Sequence, residues 1–345
     1  MAASRRTRAL AAVGALAALI APLALVSSGE AAAAPKGLKT HQTKVYKVEK
    51  HVDLGGEFPD NTASYELKCS PGDIAVDGMW RVDHVDQANP DTGTFGDERD
   101  VYVTQSRNKS SDRAAWLFSL TNHATADAQV KLFVVCLAGK TTERNGHAHD
   151  IQTGSLVETA DPGETMHVGD YPAQSSLCPA GYWTVAPGFF LPNGKARLFH
   201  TWPTADHRGW AWKFRVESEV TGAKFSYRCL KSETAPLGAG PHVHDLGLAW
   251  YGDTVGPLNS HLGVKFTVHA SETAELQLSC RDHGKALVGS MYFNAWDKIW
   301  WLGQDPRPKT RAHKFWVTHN PQNVWLDNLC LEGRTGPQKQ QSLVP

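Results

Sequence analysis

Apolar and polar residues alternate along several short stretches of the chain, as in β-strands that bury one face. Three such stretches end on a cysteine that lies on their apolar side, at residues 65–69, 225–229 and 276–280. Long runs with the helical spacing of apolar residues are few, whereas aromatic residues and glycines are plentiful. The pattern therefore predicts an all-β protein.

The beginning of the chain follows a different pattern. Three arginines precede an apolar, alanine-rich stretch at residues 9–26. This order is typical of a secretory signal peptide, which we predict for residues 1–34. A retained membrane anchor is the less favoured alternative, because the stretch is short and contains Pro22. We expect no transmembrane segment after cleavage, and we expect the protein to be extracellular or on the cell surface.

A six-residue phrase occurs three times with small changes: CLAGKT at Cys136, CLKSET at Cys229 and CLEGRT at Cys330. Each phrase is preceded by an earlier cysteine with two following glycines, and by an aromatic landmark such as Trp116-Leu117-Phe118. Because the landmarks keep the same order three times, we infer a repeat of about 100 residues. The predicted units are residues 35–142, 143–235 and 236–345, and the last includes a short C-terminal tail.

The six cysteines all follow the predicted signal peptide, and an even number in a secreted chain favours disulfides. The phase of the repeat favours three pairs: Cys69 with Cys136, Cys178 with Cys229, and Cys280 with Cys330. A disulfide between inward-facing strands in a unit of this size is typical of a small β-sandwich. The sequence therefore predicts three tandem, disulfide-stapled, β-sandwich-like domains.

The order of a Cys-Pro-x-Gly element, a second glycine, an aromatic-x-Phe element, an asparagine and a final cysteine resembles uncharacterised Cys-bracketed β-repeats in secreted proteins of Gram-positive bacteria. The resemblance covers most of the chain after residue 34. It implies no catalytic residues and no function. The tryptophan position departs from the immunoglobulin pattern, so the strand topology stays open.

Charge and motifs exclude several function classes. Lysines and arginines balance aspartates and glutamates, 35 against 35, so the chain has no basic footprint for nucleic acid. The zinc-protease helix, the nucleophile elbow, the phosphate-binding loop and the dinucleotide fingerprint are all missing from the sequence. An enzymatic activity is therefore left open, and the sequence favours a protein without one.

Two short strings between the repeats carry the strongest chemical suggestion. They are Gly146-His147-Ala148-His149-Asp150 and Pro241-His242-Val243-His244-Asp245. In a strand the two histidines of each string point the same way, so they can share one zinc or copper ion, with the aspartate as a third ligand or an outer orienting group. The alternative is a pair of duplicated strands with exposed histidines. The first repeat has only His41 at the equivalent place, so we expect no ligand role common to all three repeats.

Two other features suggest binding. An acidic insert at residues 83–112 contains Asp83, Asp86, Asp91 and Asp97, which we interpret as a candidate calcium site or as a solvated loop. Trp300 and Trp301 are adjacent, so at least one of these rings is expected to leave the core, where it can stack on a sugar or contact a protein.

These patterns together predict a secreted, non-catalytic binding or structural protein that acts outside the cell or at its surface, with a glycan or another surface protein as partner. The alternative is an extracellular metal-dependent enzyme that uses the His-x-His-Asp strings.

Overall fold

Strands with alternating buried and exposed residues make up most of the computed structural model. The structure describes residues 40–56, 61–85, 98–124, 126–237, 242–252, 254–255, 261–269, 273–280, 284–293, 295, 297–319 and 321–340. The first repeat contains strands β1 (Val45–Leu54), β2 (Thr62–Lys68), β3 (Ile74–Val85), β4 (Val101–Lys109), β5 (Asp112–Asn122) and β6 (Ala128–Leu137), with one short 3-10 helix at Glu98–Asp100. The described residues contain no α-helix, which confirms the predicted all-β class.

The later repeats follow the same plan. The second repeat contains β7 (Ile151–Thr153), β8 (Val157–Glu158), β9 (Glu164–Met166), β10 (Gly169–Gln174), β11 (Tyr182–Phe190), β12 (Lys195–Pro203), β13 (Trp210–Ser218) and β14 (Val220–Thr234). The third contains β15 (His242–His244), β16 (Leu248–Tyr251), β17 (Thr254–Val255), β18 (His261–Leu262), β19 (Val264–Val268), β20 (Thr273–Ser279), β21 (Lys285–Phe293), β22 (Ile299–Pro306), β23 (Thr310–Val317), β24 (Gln322–Leu331) and β25 (Gln338–Gln340).

Each of the three large sheets is antiparallel and takes strands from two repeats. Their orders are β2-β5-β4-β11-β14-β7, β10-β13-β12-β21-β24-β16 and β1-β6-β3-β22-β23-β20. Each repeat divides its strands between two sheets: β2, β4 and β5 of the first repeat join the second repeat, whereas β1, β3 and β6 join the third. The repeats therefore close into a cycle, joined edge to edge through the strand pairs β4–β11, β12–β21 and β22–β3.

A disulfide links the two half-sheets within each repeat. The bonds are Cys69–Cys136, Cys178–Cys229 and Cys280–Cys330, which are the pairs predicted from repeat phase. The first cysteine of each pair follows β2, β10 or β20, and the second lies in β6, β14 or β24. The aromatic landmarks Trp116, Trp212 and Phe315 are fully buried. Each repeat is thus a sandwich-like pair of half-sheets packed on a common core.

A glycine permits the closest approach at the seam between the third and first repeats. Gly303 in β22 pairs with Arg81 in β3 and has a φ of 112°, a conformation that side chains rarely adopt. A Cβ atom at this position would lie 1.9 Å from the carbonyl oxygen of Trp80. No larger residue fits here without moving one of the two strands.

Buried ionic groups also cross that seam. Arg311 and Asp77 are both buried, and their charged groups lie 3.4 Å apart. Arg311 also donates to the carbonyl of Ala286, and the backbone N–H of Gly289 donates to Asp77. Burial raises the pKa of Asp77 to about 6 although Arg311 opposes the change. The pair ties the first repeat to the third through groups that water does not reach.

The predicted signal peptide and residues 86–97 of the acidic insert lie outside the described residues. Within the described ranges, no helix has both the length and the hydropathy needed to cross a membrane.

Candidate metal centre

Five histidines from all three repeats meet at the places where one repeat passes into the next. Their strings are held by three equivalent bridges between extended segments: Lys140 with Asp150, Glu233 with Asp245, and Gln42 with Arg334. Residues two apart in an extended chain point to the same side, so each His-x-His string presents two imidazoles. The third bridge brings in His41, because it pairs the start of the first repeat with the end of the third.

Three of these histidines form a buried triangle. The ring centroids of His41, His149 and His244 lie 4.9, 4.9 and 4.8 Å apart. Their exposed fractions are 2, 0 and 2%. One ring nitrogen of each lies within 4.8 Å of a ring nitrogen of both others. We call these three residues the histidine triad, and each repeat contributes one member.

Backbone carbonyls fix the orientation of every ring in the triad. Nδ1 of His41 lies 2.9 Å from the carbonyl oxygen of Thr142, Nδ1 of His149 lies 3.0 Å from that of Ala235, and Nδ1 of His244 lies 2.8 Å from that of Gly336. Carbonyl oxygens only accept, so each Nδ1 carries the proton. In the neutral imidazole each Nε2 is then the unprotonated nitrogen and has the lone pair, which is the form that binds a metal ion.

A threonine holds the backbone of each triad histidine. The N–H groups of His41, His149 and His244 donate to the hydroxyl oxygens of Thr335, Thr141 and Thr234 at 3.1, 3.0 and 3.0 Å. These threonines are the last residues of the three CLxxxT phrases. Sequence reasoning missed this role, although the repeated threonine was the signal for it. The threonine of each CLxxxT phrase therefore accepts a hydrogen bond from the backbone of a histidine in the following repeat. The phrase at Cys330 does the same for His41 in the first repeat.

His147 and His242 lie on the outer side of the triad and are partly exposed. The ring of His147 is 5.0 Å from that of His41 and 5.4 Å from that of His149. The ring of His242 is 4.9 Å from that of His149. His147, His149 and His242 form a second group of ring nitrogens within 4.8 Å of one another. His149 thus belongs to both groups and lies at the centre of the cluster.

The cluster contains lone pairs without partners. Nε2 of His149 and Nε2 of His147 are buried and accept no hydrogen bond from any described residue. Nε2 of His242 lies 3.0 Å from Nε2 of His244, so His242 is the donor in that pair. Buried polar atoms without a partner are uncommon and often mark the place of a ligand or ion.

The electrostatics also favour a metal ion. Burial lowers the pKa of His149, His242 and His244, and the neighbouring histidines lower it further. All three are neutral near pH 7, and neutral imidazole is the ligand form. Imidazole nitrogen suits zinc and copper, and in a tetrahedral zinc site the nitrogens lie about 3.4 Å apart. The ring nitrogens of each group lie within 4.8 Å of one another, so the rings must approach by up to about 1.4 Å to reach that spacing.

The two aspartates of the strings do not join the cluster. Asp150 is paired with Lys140 at 3.5 Å, and Asp245 is paired with Lys339. Their side chains are 62 and 41% exposed. Each follows a triad histidine directly, so in an extended chain its side chain points to the other side. The third imidazole comes instead from His41, for which the sequence suggested no ligand role.

The other predicted site residues lie elsewhere. Asp83 pairs with Arg81 at 2.9 Å and with Lys131. The remaining candidate calcium ligands, Asp86, Asp91 and Asp97, lie outside the described residues. Trp300 and Trp301 line a cavity between the repeats, where Trp301 packs against Trp80 with ring centroids 4.8 Å apart.

Comparison with known proteins finds no family model and no curated sequence that matches this chain. The geometry of the histidine cluster is therefore the main basis for a function.

Proposed function

We propose that the protein is a secreted, non-catalytic metal-binding protein that holds one zinc or copper ion in the histidine cluster. The observation that carries the proposal is the buried triad, in which three Nδ1–H groups are bonded to carbonyls and one ring nitrogen of each histidine lies within 4.8 Å of the other two. Most buried polar atoms have a hydrogen-bond partner. Nε2 of His149 has no such bond with any residue that the structure describes. Ring nitrogens of His200 and His313 also have none among the described residues, but only in the histidine cluster do the described histidines converge in groups of three.

The number of imidazoles argues for retention of the metal rather than for catalysis. A tetrahedral zinc ion takes four ligands, and a catalytic site keeps one of them for water or substrate. The triad supplies three ring nitrogens, and a filled coordination sphere needs a fourth from His242, whose Nε2 lies 3.0 Å from Nε2 of His244. Because the triad takes one residue from each repeat, the bound ion also links the three repeats.

Secretion is supported by the pattern of residues 1–34 and by the disulfides. Disulfide bonds form and persist in oxidising compartments, and all six cysteines are paired. The proposed location is therefore outside the cell or at its surface, where zinc and copper must be held by high affinity rather than by abundance.

Calorimetric titration of the purified, chelator-treated protein with zinc, copper or calcium tests the proposal. We expect one zinc or copper ion per chain, and no calcium at this site, because calcium prefers oxygen ligands. Metal at about 100 times its dissociation constant should stabilise the fold by about 2.7 kcal/mol, which thermal unfolding detects. The proposal fails if neither zinc nor copper binds and neither raises the unfolding temperature.

Two variants separate the cluster from adventitious surface binding. His149→Gln removes the ligand that both histidine groups share, and His242→Ala removes a partly exposed one, which is the safer change for folding. His51→Ala is the matched control, because His51 is an exposed strand histidine paired with Glu49. We expect both cluster variants to weaken zinc and copper binding at least tenfold and the control to leave it unchanged. Equal affinity in all three variants would place the metal elsewhere.

A further inference from the structure

A second candidate site lies away from the histidine cluster, in a cavity of about 440 Å³. Its walls come from all three repeats: β3, β4 and the 3-10 helix of the first, β12 of the second, and β22 of the third. A volume of this size is within the range of small-molecule sites. Because the seams between repeats form the walls, the cavity is a product of the cyclic arrangement.

The lining is mainly aromatic and aliphatic. Trp80, Phe189, Phe199 and Phe293 are buried side chains of the wall, and Trp301 lies beside Trp80. Val168 also lines the cavity and is 65% exposed, so it marks the side that opens to solvent. Such a surface favours a molecule whose body is apolar and planar.

The charged residues of the wall already have partners. Lys314 donates to Oε1 of Glu98 at 3.1 Å. The guanidinium of Arg197 donates to Glu217 at 2.7 Å and lies over the ring of Tyr102. Similarly, Arg99 lies over the Trp300 ring at 4.8 Å. Since these charges are matched, the cavity favours a neutral ligand over an ionic one.

Two polar atoms of the wall are left over. Oε2 of Glu98 and Nε1 of Trp301 are buried and have no hydrogen-bond partner among the described residues. One is an acceptor and the other a donor, and each buried atom left in this state costs about 1–3 kcal/mol. A ligand group that donates to Glu98 or accepts from Trp301 would recover part of that cost.

We propose that this cavity binds a small, neutral, mostly aromatic molecule that carries a hydroxyl group. The planar body packs between the aromatic side chains, and the hydroxyl donates to the free oxygen of Glu98 or accepts from the indole N–H of Trp301, after a small rotation of that side chain exposes the buried atom. This site is independent of the metal centre, since it shares no residue with the histidine cluster.

The first test compares three probes of similar shape. Binding of 2-naphthol, 2-methoxynaphthalene and naphthalene is measured by quenching of tryptophan fluorescence and by calorimetry. We expect one 2-naphthol per chain, bound at least tenfold more tightly than naphthalene. 2-Methoxynaphthalene should lie between them, because it accepts from Trp301 but donates nothing to Glu98. The absence of saturable 2-naphthol binding, or equal affinity for 2-naphthol and naphthalene, would overturn the proposal.

Variants then place the probe in the cavity. Ala196→Phe fills part of the cavity and should abolish 2-naphthol binding, whereas Ala249→Phe, at an exposed position of β16, should leave it unchanged. Trp301→Phe keeps an aromatic side chain but removes the N–H and part of the ring surface, so it should weaken 2-naphthol and 2-methoxynaphthalene about fivefold more than it weakens naphthalene. If Ala196→Phe does not fold, the Trp301→Phe result decides. Unchanged 2-naphthol affinity in a folded Ala196→Phe or in Trp301→Phe would show that the probe binds elsewhere.

Discussion

Replacing Thr234 with valine should lower the zinc or copper affinity of the histidine cluster, although Thr234 is not itself a proposed metal ligand. Thr234 is fully buried, and its hydroxyl oxygen accepts the backbone N–H of His244 at 3.0 Å. The same oxygen lies 3.3 Å from Nδ1 of His149. One hydroxyl therefore contacts two members of the triad. Valine keeps nearly the same shape but accepts no hydrogen bond, so Thr234→Val isolates the effect of that group.

Two magnitudes follow from these contacts. The N–H of His244 loses its acceptor in a buried place, which should cost about 1–3 kcal/mol of folding free energy in the metal-free protein. Loss of an outer orienting group typically lowers metal affinity 10- to 100-fold. That range corresponds to about 1.4–2.8 kcal/mol of binding free energy. The effect on binding should therefore be at least as large as the precision of a calorimetric titration.

Urea unfolding of the metal-free protein measures the first magnitude, and zinc and copper titrations measure the second. Thr267→Val is the matched control, because Thr267 is an exposed strand residue whose hydroxyl donates to Asn323. Thr234→Val with both the stability and the metal affinity of the control would refute the role of the CLxxxT threonines.

Three further predictions rest on other parts of the fold. Zinc or copper affinity should fall as the pH drops below about 6.5, because protons compete with the metal for Nε2. The stability of the metal-free protein should fall over the same range, because burial lowers the pKa of His149 and the unfolded chain then binds more protons than the folded one. Metal titrations and urea unfolding between pH 5 and 8 check the two effects. Arg311→Met should cost about 3–5 kcal/mol in urea unfolding because it leaves Asp77 buried without its cation, and adding Asp77→Asn should restore part of the loss. Replacing Cys280 and Cys330 with serine opens a loop of 50 residues and should cost about 4 kcal/mol, measured the same way, whereas a loss below 1 kcal/mol would contradict the loop estimate.

The sequence was informative where the signal is local or repeated. Alternating apolar positions identified the strands that carry Cys69, Cys229 and Cys280, and the repeat order identified the partner of each cysteine. The two His-x-His strings were visible for the same reason. The strand pairs across the seams cannot be predicted in this way, because no sequence pattern in β3 identifies β22 as the neighbouring strand. The sharing of sheets between repeats therefore appears only in the structure.

The histidine cluster was predicted in part, and the missing part has a physical cause. His41 stands alone in the sequence, without a second histidine two places away. Its position is set by Thr335, which is 294 residues further along the chain. The exposed aspartates beside His149 and His244 looked like better ligands than this isolated histidine. Only the closure of the cycle shows that an imidazole from the first repeat takes the third place.

The contact between His41 and Thr335 also bears on when the proposed metal site is complete. It joins residues that are 294 positions apart, and such contacts form late in folding because a long loop must close first. A chain that is still being made lacks Thr335 and therefore has no complete histidine triad. If the cluster holds zinc or copper as proposed, metal uptake would mark the finished molecule, and copies truncated before Thr335 would bind less metal.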